Sequence, residues 1–105
     1  MSTRIRYERT GGFAGLKLSC TFDLDDLPED QADKVSELLE ELDFFGLPER
    51  MLPSHPPVDQ FAYKIEVESK KGNHRVLTTD SAAPEKMREL IHLLNHLARG
   101  YRKKD

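Results

Sequence analysis

Few residues in this chain could do chemistry, and their spacing leaves most of them without partners. His92 and His96 stand four apart, the offset at which two imidazoles on one helix face can share a metal ion. The helical wheel sets both roughly opposite the apolar stripe of their segment. No Cys, His or Asp lies at an offset that would supply a third or fourth ligand. They read as solvated helix histidines, and no metal or other cofactor is expected. His55 and His74 fall in a loop and at a strand start, with no spacing that links them. Cys20, the single cysteine, alternates with Leu18 and Phe22 and reads as a buried small hydrophobe rather than a nucleophile. Asp23, Asp25 and Asp26 lack the central Gly and closing Glu of a calcium loop, so they read as the cap of a helix start. Gly11-Gly12-Phe13-Ala14-Gly15 is followed by no Lys-Ser/Thr and is not a phosphate loop. No constellation of catalytic side chains emerges, and the chain reads as a binding protein, not an enzyme.

The elements that must position these residues follow from periodicity. Ile5 and Tyr7 alternate with Arg4, Arg6 and Glu8; Leu16, Leu18, Cys20 and Phe22 repeat the same two-residue period. With three glycines in the five residues between them, the pair reads as a hairpin. Phe61, Tyr63, Ile65 and Val67 mark a third strand, and a fourth runs from His74 to about Thr79 after a turn centred on Gly72-Asn73. A helix is expected from Pro28, with Ala32, Val35, Leu38, Leu39 and Leu42 inward and Gly46 and Pro48 closing it. A second runs from Pro84 to about Arg99, with Met87, Leu90, Ile91, Leu94, Leu97 and Ala98 inward. The order ββαββα predicts an α+β domain: a four-stranded, mainly antiparallel sheet with both helices packed on one face. The other face should be wet, showing Lys17, Lys64, Glu66 and Glu68. Pro48, Pro53, Pro56 and Pro57 make Leu47 to Asp59 a stiffened, held loop.

With 105 residues the chain has room for one domain, 1–105, with a frayed tail at 101–105. It has no apolar run near the roughly 20 residues needed to span a bilayer, and a lone cysteine fits a reducing, cytoplasmic compartment. The net charge of -3 hides an asymmetry: between Thr21 and Glu49, eleven acidic residues face one lysine, Lys34. A polyphosphate would be repelled by such a face, and a basic protein partner would not. Arg99, Arg102, Lys103 and Lys104 are then cations at a helix C-terminus, not a nucleic-acid site. An interaction module using the acidic helix face is one reading consistent with this.

A second reading comes from resemblance. Tyr7-Glu8-Arg9-Thr10-Gly11-Gly12-Phe13-Ala14-Gly15-Leu16, Leu27-Pro28, Asp43-Phe44-Phe45-Gly46-Leu47-Pro48, Asp59-Gln60-Phe61-Ala62-Tyr63 and Ala83-Pro84 follow one another as they do in the emfourins. These are small bacterial inhibitors of protealysin and related thermolysin-like zinc metallopeptidases. The resemblance implies a non-catalytic protein that binds such a peptidase and blocks its active site; separately, the free chain is expected to be a monomer. A cleft that takes an extended chain and a large apolar side chain would be met by a backbone segment with an apolar anchor. Two segments qualify: the hairpin crown at Gly12, Phe13 and Ala14, and the proline-stiffened loop at Met51, Leu52 and His55. For Phe13, local physics slightly favours folding under to plug one end of the core over display, because an exposed Phe forfeits roughly 2 kcal/mol of burial.

Overall fold

The computed structural model describes residues 3–11, 17–53, 60–70 and 72–100. Among the described residues the strands and α-helices run in the order β1 (Arg4–Gly11), β2 (Leu18–Asp23), α1 (Glu29–Leu42), β3 (Arg50–Met51), β4 (Phe61–Ser69), β5 (Gly72–Thr79) and α2 (Glu85–Gly100). The fold is α+β as expected, but the sheet has five strands, not four, in the order β2-β1-β4-β5-β3. The added strand, β3, pairs in parallel with β5, so the sheet is mixed. Two residues carry no readable period, and this strand is defined by its partners. The Leu77 amide donates to the Glu49 carbonyl (2.8 Å) and the Thr78 hydroxyl to the Met51 carbonyl (2.9 Å).

Register explains which side chains enter the core. Ile5 lies between Phe22 and Val67, and Tyr7 between Cys20 and Ile65; Val76 stands opposite Ile65. Residues directly opposite one another share a face. Ile5, Tyr7, Phe22, Ile65, Val67 and Val76 are accordingly all buried. Onto them pack Val35, Leu38 and Leu42 of α1 and Met87, Leu90, Ile91, Leu94, Leu97 and Ala98 of α2. Each such aliphatic side chain contributes about 1.5–3 kcal/mol when fully buried. The other face is wet, with Lys64 and Glu68 exposed and Glu66 half-buried. Ion pairs lace it: Arg4 to Asp23 (3.1 Å), and Glu8 to both Lys17 (2.8 Å) and Lys64 (3.3 Å). Those two lysines hold the Glu8 carboxyl below the usual carboxylate range.

Two boundaries differ from the sequence reading. The first helix stops at Leu42, before Gly46, because Asp43 adopts a left-handed conformation (φ 51°) that turns the chain. Phe44 thereby drops into the core, edge-on to His74 with ring centroids 5.7 Å apart. The His74 Nε2–H donates to the Leu47 carbonyl (2.7 Å), tying the start of the proline-rich segment to β5. The β4–β5 turn is not centred on Gly72-Asn73. Ser69 pairs with Gly72 and Glu68 with Asn73, so only positions 70 and 71 lie between the strands. Gly72 instead takes a φ of 118° at the first position of the returning strand, where a side chain would be strained.

Candidate functional site

Of the residues singled out as partner-binding candidates, Gly12, Phe13, Ala14 and His55 lie outside the described residues, as does the tail at 101–105. The flanks of both segments are described, and the ladder brings them to one end of the sheet. Gly11, where β1 ends, is opposite Phe61, where β4 begins. Thr79, at the close of β5, is opposite Ala62, and Met51 lies alongside Thr78. Arg9, near the same end, pairs with Leu18, the first residue of β2. The chain therefore leaves and re-enters the described sheet at Gly11, Lys17, Pro53 and Gln60, all at that one end.

The structure separates Met51 from Leu52. Met51 is half-buried, packs against the core and has its carbonyl held by Thr78. Leu52 is 44% exposed and is the one exposed large hydrophobic among the described residues. Its backbone is pinned one residue earlier, so little conformational freedom is left to the chain at this point.

A polar cluster, not anticipated from the sequence, braces this end. The β4–β5 register places Asp80 opposite Phe61, one step past the last strand residue, Thr79. Its carboxylate takes the place of a strand partner. Oδ2 accepts the Phe61 amide (3.1 Å) and Oδ1 the Tyr63 hydroxyl (2.5 Å). Burial, and then Asp80 itself, raises the Tyr63 phenol far above its ordinary 10.0, so the hydroxyl stays a donor. Gln60 accepts the Ser81 amide through Oε1 (2.6 Å). The Arg9 guanidinium lies over the Phe61 ring, 4.5 Å from its centroid. The Phe61 and Tyr63 rings are 6.4 Å apart, and Tyr7 stacks on Tyr63 at the same distance while its hydroxyl donates to Asn95 of α2. Arg9 Nε and Gln60 Nε2 are buried without a hydrogen-bond partner. The sequence signal for this cluster was slight: Gln60 and Phe61 are visible at a strand start, but Asp80 enters only through register.

The other candidates for chemistry stay apart. His92 and His96 are exposed on α2 and, with Leu93, line a groove against Lys34 and Leu38 of α1. Among the described residues no three His, Cys, Asp or Glu side chains gather as metal ligands. Cys20 is half-buried, less enclosed than its alternation with Leu18 and Phe22 suggested, and burial raises its thiol pKa. No helix among the described residues is long and apolar enough to cross a membrane.

The model of a family described as Emfourin matches residues 7–95. Among solved structures the chain is similar to emfourin (M4in) from Serratia proteamaculans, an M4 family peptidase inhibitor. Identity is 19%, the alignment covers 99% of this chain and 92% of that one, and the TM-score is 0.45. No curated protein matches the chain. The family match, spanning both helices up to Asn95 and every strand from Tyr7 onward, carries the assignment.

Proposed function

The chain belongs to the emfourin family, and from that premise we propose that it inhibits a thermolysin-like, protealysin-type zinc metallopeptidase by binding it and occluding its active site. The family match is the observation that carries this reading. The protein acts by occupancy and not by catalysis, needs no cofactor of its own, and works as a monomer in a bacterial cytoplasm, where Cys20 stays reduced.

The end of the sheet that gathers Gly11, Lys17, Pro53 and Gln60 is the face offered to the peptidase. Gly12, Phe13, Ala14 and His55 belong to the two segments rooted there. Leu52 is the described anchor, and Met51 is its footing. Exposure supports the assignment to Leu52: a leucine 44% exposed in water gains on the order of 1 kcal/mol when a pocket takes up the remainder.

Competition tests occlusion directly. Association is measured between this protein and the peptidase, with and without a saturating small competitive inhibitor of the peptidase. Occlusion predicts mutually exclusive binding. Unchanged association with the inhibitor in place would show that the protein docks elsewhere, and a steep loss of binding with salt would point instead to the acidic face of α1.

A further inference from the structure

We infer that Asp80 is a positioning residue for inhibition, setting where β4 begins and so the spacing between the chain at Gly11 and at Gln60. The inference rests on the inhibitory reading above and goes beyond it by naming a residue outside both candidate segments.

The geometry requires such a brace. β5 ends at Thr79, so the Phe61 amide has no strand carbonyl beyond it to bond. An unpaired amide at the first residue of a strand lets that residue fray. Asp80 prevents this with a single side chain, because its two oxygens hold two points on β4 two residues apart, Phe61 through the backbone and Tyr63 through the hydroxyl. The Phe61 position in turn fixes two neighbours. The Phe61 ring is the platform under Arg9, and the Gln60 carbonyl stands where a side chain on Gly11 would meet it. Release of Asp80 would loosen β4 at the point where the segment after Leu52 rejoins the sheet and where β1 passes it. The carboxylate itself needs no contact with the partner: it acts through Phe61 and Gln60.

The test is a set of inhibition constants against a protealysin-type peptidase, each paired with a melting temperature. Asp80→Ala removes both bonds, Asp80→Asn keeps an oxygen for one of them, and Tyr63→Phe removes the hydroxyl alone. Asp23→Ala breaks the pair with Arg4 at the far end of the sheet and serves as a structural control. We expect Asp80→Ala to raise the inhibition constant by about tenfold or more, the scale of one lost charge-assisted hydrogen bond. Asp80→Asn and Tyr63→Phe should fall between it and the native protein, while Asp23→Ala stays within about twofold of native. The control separates positioning from stability, since any general loosening would move Asp23→Ala with its melting temperature. Native-like inhibition by folded Asp80→Ala, or an equal loss in Asp23→Ala, would overturn the inference while leaving the inhibitory function standing. Absence of inhibition by the native protein would overturn both.

Discussion

A Cβ added to Gly11 would stand 3.0 Å from the carbonyl oxygen of Gln60. Gly11 also has a φ of 96°, which side chains rarely allow. At the end of β1 and the residue before β4 a side chain would thus be both strained and crowded, and the crowding atom is backbone, which cannot rotate away.

Gly11→Ala should therefore lower stability by about 1–3 kcal/mol, combining backbone strain with the displaced Gln60. Denaturant unfolding reads the stability change, and peptidase titration of the same variant should show weakened inhibition. A variant as stable as the native protein would mean that β1 and β4 separate here without cost.

Leu52→Ala and Leu52→Asp should leave the unfolding free energy within about 0.5 kcal/mol of native, since the side chain is largely in water. Their effect belongs to the complex: inhibition should weaken by about tenfold for alanine and by more for aspartate, which would carry a charge into an apolar pocket. Dissociation rates measured with the peptidase immobilised would locate the change, because most interface substitutions act there.

Leu94→Ala should do the opposite. Leu94 is fully buried on α2 beneath the sheet, so truncation should cost about 2–5 kcal/mol of stability. At a temperature where the variant remains folded, its inhibition constant should match the native one. Together with Leu52 it makes a pair in which stability and inhibition fail separately.

Alkali offers a check on the tyrosine pair. Burial is the leading cause that raises both the Tyr7 and Tyr63 phenols above their ordinary 10.0. A folded-state pKa above the unfolded one stabilises the fold fully below pH 10.0 and progressively less above it. Each tyrosine that ionises only in the unfolded chain should remove about 1.4 kcal/mol per pH unit in that range. Unfolding followed from neutral pH into alkali should begin to fall above about pH 9, where the Cys20 thiol, also raised by burial, ionises first in the unfolded chain, and should steepen above about pH 10 as the tyrosines join it. Tyr63→Phe should make the fall shallower.

Much of this fold was legible because one face of each strand and one stripe of each helix is apolar. Tyr63, Ile65 and Val67, or Met87, Leu90 and Leu94, announce their burial by period alone. What periodicity could not reach was anything decided by partners. β3 is too short to show a repeat and exists only because Thr78 and Leu77 bond to it. The stop of α1 at Leu42 depends on Asp43 accepting a left-handed backbone, which lets Phe44 reach the core. The candidate surface was half readable. Leu52 stood out as an apolar residue among prolines, but its exposure, and the anchoring of Met51 beside it, needed the strand. Asp80 was invisible, because nothing in the sequence says that position 80 stands opposite position 61.

The central claim is inhibition, and a titration tests it most directly. A fixed concentration of a protealysin-type peptidase, well above the dissociation constant, receives increasing amounts of this protein while cleavage of a small peptide is followed. The account predicts a linear loss of activity that breaks near one inhibitor per enzyme, because a covered active site excludes even a small substrate. Activity that persists past several equivalents, for this peptidase and for others of the thermolysin-like class, would contradict it.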